Sequence, residues 1–171
     1  LAARSEGGIR AAAQSAFPWV QLARGLILVA EIAVMLVAFV KLGLIEAHAV
    51  FTCYPLLVAA LSGPILGEKV GWRRWSAILV GFVGVLIILE PGYGVFSPWA
   101  LVPLLSATMF AVYGLLTRYV ARKDSALVSF FWTGVVGAVA MTPFGLMHWT
   151  WMTPGDWGWM GVLCLTGAGA H

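Results

Sequence analysis

Charge is what this chain has least of. Ten basic and seven acidic residues are spread over 171 positions, against 61% hydrophobic residues and a mean hydropathy of +0.95, a balance that excludes an ordinary soluble domain. Cysteine is almost absent too. Cys53 and Cys164 both fall in apolar segments without Cys-x-x-Cys or Cys/His spacing, which excludes a disulfide framework and a thiolate metal site. There is no Gly-x-Ser-x-Gly turn and no Walker glycine loop, and the two aspartates, Asp124 and Asp156, sit in predicted loops. Neither nucleophilic hydrolysis nor an intramembrane aspartyl pair is supported, and no enzymatic activity or cofactor is expected. Residues 1–17 are small and Arg-containing and lack the apolar core of a signal peptide.

What the chain does have is apolar runs of membrane-crossing length, roughly 20 residues in helical form. The first runs from about Trp19 to Leu42, opened by Pro18 where a missing N–H is harmless. A second, Ala47 to Leu66, ends at Gly67 as a C-terminal cap and contains Pro55 and Pro64. The third, Trp72 to Leu89, is closed by Glu90-Pro91-Gly92. Ser97-Pro98 opens a fourth that ends near Tyr119 in the basic run Arg118 to Lys123, and a fifth spans Ser125 to Met147. Pro154-Gly155-Asp156 introduces a sixth that opens at Trp157 and stops about 22 Å of helix later. The expected fold is therefore all-α, a polytopic transmembrane helix bundle with five complete spans and the start of a sixth.

The short connector Gly67-Glu68-Lys69-Val70-Gly71-Trp72-Arg73-Arg74-Trp75 forces its two spans to run antiparallel, and its basic residues place it on the cytoplasmic side. Alternation then puts Arg4, Arg10 and Arg24, together with Arg118, Arg122 and Lys123, on the same side, which is nine of the ten basic residues; Lys41 alone lies outside. Such clustering marks membrane orientation, not a nucleic-acid surface. Eight of nine tryptophans (19, 72, 75, 99, 149, 151, 157 and 159) fall at span ends, where an indole suits the headgroup level. Small residues mark faces for close helix packing: Ala77-x-x-x-Gly81 with Gly84, Ala107-x-x-x-Ala111 with Gly114, and Gly134 with Gly137 and Ala138.

Five elements occur in a telling order: Pro55-Leu56, Leu66-Gly67-Glu68, Trp72-Arg73-Arg74-Trp75, Gly81-Phe82-Val83-Gly84-Val85 and Pro91-Gly92. Together they resemble the EamA domain of the drug/metabolite transporter superfamily, most clearly over residues 18 to 92, with Glu90 standing where a basic or neutral residue would be expected. The resemblance implies ten spans in two five-span inverted repeats, both termini cytoplasmic, and a substrate path between the repeats. On that mapping residues 1–17 are a cytoplasmic loop segment, 18–92 the last three spans of the first repeat, and 93–171 the first two spans and a partial third of the second; the chain reads as truncated at both ends.

Within the spans Glu31 is the sharpest candidate, because a carboxylate inside hydrocarbon is expensive and normally marks a proton, ion or substrate path. Pro55 withholds an N–H from the Phe51 carbonyl, so Thr52, Tyr54 and Pro55 become pocket candidates. His48, with Glu46 near the outer mouth, is a candidate gate or relay. Glu68 reads as a local ion-pair partner of the connector, and Arg24 as an orientation charge. The function expected is a secondary transporter of small metabolites or drugs in the cytoplasmic (inner) membrane, working by alternating access, with the bilayer, a small-molecule substrate and either a second copy or the missing spans as partners, and no nucleic acid. Two other readings are an accessory or vestigial membrane fragment without transport of its own, and an electron-transfer subunit with His48 and His148 ligating a haem.

Overall fold

The structure is a computed structural model and describes residues 13–68, 71–88, 98–147, 149, 151 and 153–169. All regular elements among them are helical: α1 (Pro18–Leu42), α2 (Leu44–Phe51), α3 (Tyr54–Leu66), α4 (Trp72–Ile88), α5 (Leu101–Val120, entered through a 3-10 turn Pro98–Ala100), α6 (Ala126–Met147) and α7 (Pro154–Gly169). Four stretches are long and apolar enough to cross a membrane: Pro18–Leu42, Leu44–Leu66, Pro98–Val120 and Ala126–Met147. The third expected span is the 17-residue α4; Pro91 and Gly92, with Glu90, lie outside the described residues. Large apolar side chains point outward all round, among them Val40 (81% exposed), Ile45 (80%) and Val139 (70%). Only a lipid solvent makes such a surface unremarkable. The eight tryptophans expected at span ends are exposed as well.

Two compact units are distinguished, Leu1–Ala140 and Met141–His171. In the first, α5 packs along α1 and α3 and also touches α2, while α4 lies against α3. The buried face of α1 carries Gln21, Arg24, Gly25, Glu31, Met35 and Ala38, and that of α5 carries Pro103, Ser106, Ala107, Ala111, Leu115 and Val120. Both lists repeat at three, four or seven residues, as in 24, 31, 35 and 38 or 103, 107, 111 and 115, the spacing of one helical stripe. Ala107 and Ala111 are fully buried, so this small-residue face is used for close approach. A Cβ on Gly81 would come within 2.8 Å of a Leu56 methyl of α3. Gly84, Gly114, Gly134 and Gly137 have no such neighbour within 4 Å, so among the described residues these four positions are not themselves points of close approach. On α1 it is Gly25 that meets a neighbour, where a Cβ would fall 2.7 Å from Cγ1 of Val136 on α6.

The second span differs from a single helix opening at Ala47. Gly43 takes φ +99°, a left-handed turn that suits glycine, and α2 begins directly after it. The helix then breaks at Thr52–Cys53, with Pro55 in the first turn of α3. Gly67 closes α3 with φ +72° and donates its N–H to the Gly63 carbonyl, the left-handed cap expected of it. In the second unit α7 opens at Pro154, three residues before Trp157, because Thr153 and Asp156 cap it reciprocally: the Thr153 N–H donates to the Asp156 carboxylate (3.1 Å) and the Asp156 N–H to the Thr153 hydroxyl (3.3 Å).

Candidate functional site

Glu31 and Ser106 meet between α1 and α5. The Ser106 Oγ–H donates to Glu31 Oε1 over 2.7 Å, with Ser106 wholly buried and Glu31 6% exposed. Burying a carboxyl among apolar helices is tolerated only with a hydrogen-bond partner, and α5 supplies one.

About 10 Å down the same face of α1, seven residues towards the N-terminus, lies a larger polar cluster. Arg24, read from the sequence as an orientation charge, is 1% exposed and turned into the bundle. Its Nε donates to Gln21 Oε1 (2.6 Å), Nη1 to Thr117 Oγ1 of α5 (2.9 Å), and Nη2 to Thr133 Oγ1 of α6 (2.7 Å) and to the Ser129 carbonyl. The guanidinium also lies over the Tyr113 ring, 5.6 Å from its centre. Both threonine hydroxyls give their own protons to backbone carbonyls one turn back, Tyr113 O and Ser129 O, which leaves their lone pairs for the arginine. Gln21 relays the contact: its Nε2 donates to Asp124 Oδ2 (2.8 Å). Asp124 further accepts from the Ser15 hydroxyl and the Ala16 N–H. Burial pushes the Asp124 carboxyl up, but these three donors and the nearby Arg24 charge outweigh it and hold the group below the usual carboxylate range. Charge alone suggests the headgroups for Arg24, whereas in the structure its side chain is buried between helices. The pattern Gln21-x-x-Arg24, continued at Glu31 on one helical stripe, was the signal that polar groups face the interior.

A third group surrounds the broken helix. Tyr54 packs edge-on against Phe110 of α5 (5.1 Å between centres), Phe51 touches both, and Tyr113 continues the row. All four rings are part-buried. Phe110 is one helical turn beyond Ser106, so α5 carries the hydroxyl and the rings in one column. Thr52 and Pro55 are exposed, and the Thr52 hydroxyl returns to the His48 carbonyl (2.9 Å). His48 is exposed and stacked on Phe39 (5.1 Å), with Nδ1 3.1 Å from the Leu44 carbonyl; because that oxygen can only accept, Nδ1 carries the proton there. His148 lies outside the described residues.

Arg118 of α5 lies 2.9 Å from Glu68, a partner distant in sequence where the sequence suggested a local one. Arg73 is exposed, and Arg74 lies in the first turn of α4. Among the described residues no three His, Cys, Asp or Glu side chains gather as a metal site.

Apolar spans, lipid-facing side chains and polar groups sequestered between helices define a multi-pass membrane protein. Residues 4–90 match the EamA-like transporter family, and the chain belongs to that family. Among curated proteins it is 29% identical over 137 residues to the S-adenosylmethionine uptake transporter of Rickettsia prowazekii (strain Madrid E), covering 80% of this chain and 46% of that protein. It is 34% identical over 102 residues to the riboflavin transporter of Vibrio cholerae serotype O1, covering 60% of this chain and 33% of the other. An uncharacterized transporter of Archaeoglobus fulgidus is 28% identical over 98 residues, 57% and 35% of the two chains. The chain thus spans about half the length or less of these curated relatives. No solved structure gives a significant match.

Proposed function

We propose that this chain forms part of a secondary transporter that moves small metabolites across the cytoplasmic membrane by alternating access, with Glu31 on the path. The observation that carries the reading is the buried Glu31 carboxyl, held between α1 and α5 by a side chain from the other helix, in a member of a transporter family. A carboxyl kept there at a desolvation cost has a use that packing alone does not supply. Residues 18–92 and 93–171 are assigned to consecutive inverted repeats, which makes the α1–α5 contact a contact between repeats. The part-buried rings of Phe51, Tyr54, Phe110 and Tyr113 beside the broken helix suit a substrate with a planar ring, in line with relatives named for S-adenosylmethionine and for riboflavin.

The test is uptake of labelled S-adenosylmethionine, riboflavin and a panel of small aliphatic metabolites into proteoliposomes holding the full-length protein. Glu31→Gln keeps size and most hydrogen bonding but cannot titrate. Transport that fails in Glu31→Gln while folded protein remains supports the reading; transport equal to the parent across a pH series removes Glu31 from the path.

A further inference from the structure

Hydroxyls inside helices usually return their proton to the backbone of their own turn. In this protein Thr52, Thr108, Thr117, Thr133 and Thr166 do so, each donating to the carbonyl four residues back at 2.8–2.9 Å. Ser62 and Ser76 donate three residues back. Ser106 differs: its proton crosses to Glu31 on a different helix. The site is built for that crossing, since Ala107 and Ala111 alongside it are fully buried and let α1 come close. A hydroxyl one carbon from the backbone reaches the carboxyl only because of that proximity.

We infer that Ser106 is a positioning residue for Glu31: its hydroxyl fixes the carboxyl at the α1–α5 contact and so sets the competence of Glu31 in the transport cycle. The inference rests on the proposed role of Glu31. A serine there can donate to the carboxylate and, by rotating, accept from the carboxylic acid, so one residue holds the group in both protonation states. Alanine would leave the carboxyl in place with one donor fewer.

The experiment uses full-length protein in proteoliposomes and compares the parent with Ser106→Ala, Ser106→Cys, Glu31→Gln and the double variant Ser106→Ala/Glu31→Gln. Folded protein is quantified for each by size-exclusion chromatography. Ser106→Ala should lower the maximal transport rate about tenfold, the size of one charge-assisted hydrogen bond, with a smaller change in KM. Ser106→Cys, of similar shape but a weak donor, should fall between. In the Glu31→Gln background Ser106→Ala should change nothing further, because a residue that acts through Glu31 loses its effect with it. The inference is overturned if Ser106→Ala transports like the parent, if Ser106→Cys equals the parent while Ser106→Ala is impaired, or if the two single effects multiply in the double variant. Should Glu31→Gln itself transport normally, both the role of Glu31 and this inference fall; should Glu31→Gln fail and Ser106→Ala transport normally, only the inference falls.

Discussion

Replacing Arg24 by methionine keeps an unbranched apolar stem and removes every donor the side chain carries. Four hydrogen bonds disappear: those to Gln21, Thr117, Ser129 and Thr133. The acceptors are not equally exposed to the loss. Thr117 and Thr133 keep their own donations to the backbone, and the Ser129 carbonyl keeps the Thr133 hydroxyl. Gln21 Oε1 loses most, its donor, while the Asp124 carboxylate loses only the nearby positive charge. Side-chain hydrogen bonds between membrane helices average ~0.6 kcal/mol, which sums to roughly 2.5 kcal/mol for four; Asp124 keeps its donors from Ser15, Ala16 and Gln21, so the lost charge beside it adds little. Arg24→Lys keeps the charge but cannot span three helices with one ammonium, so about half the loss is expected. The assay is reversible unfolding of the full-length protein in mixed micelles, followed by helical circular dichroism. A change under 0.5 kcal/mol in Arg24→Met, or full stability in Arg24→Lys, would refute the view that this cluster ties α1, α5 and α6 together.

Gly25→Ala places a methyl 2.7–2.8 Å from Val136 and should destabilise by about 1–3 kcal/mol through overpacking, with Val136→Ala restoring most of it in the double variant; thermal unfolding checks this. Because the Asp124 carboxyl is held below its usual range, its contribution to stability is present above the ordinary carboxylate value and is lost as pH falls through the lowered folded value. Asp124→Asn should therefore be less stable than the parent at neutral pH, and melting curves should show the difference closing as pH drops below about 4. The basic-residue asymmetry predicts that a cysteine at exposed Ser125 is shielded from an impermeant thiol reagent in intact cells, whereas one at Gly94, in the opposite connector of the sequence, reacts, in a Cys53→Ala/Cys164→Ala background; labelling at Ser125 alone would invert the topology.

Much was legible along the chain because a bilayer imposes one-dimensional rules. Apolar length sets where helices run, Pro18 and Gly67 punctuate them, and terminal tryptophans mark span ends without reference to any neighbour. The burial of Glu31 was legible for the same reason. Other features depend on what another helix presents. Whether a glycine is a contact point depends on the opposing side chain, so Gly25, outside any small-residue motif singled out beforehand, meets Val136, while Gly114 and Gly134 meet nothing. Arg24 carries the same charge as Arg73, yet one is buried and the other exposed; the difference is Thr117, Ser129 and Thr133, brought from 93 or more residues away to accept its protons. Ser106 is a small polar residue in an apolar run until α1 brings a carboxyl to 2.7 Å from its hydroxyl. Local hydrophobicity and turn chemistry determined the helices; only tertiary packing decided which polar groups face one another, because a hydrogen bond needs both partners within about 3 Å.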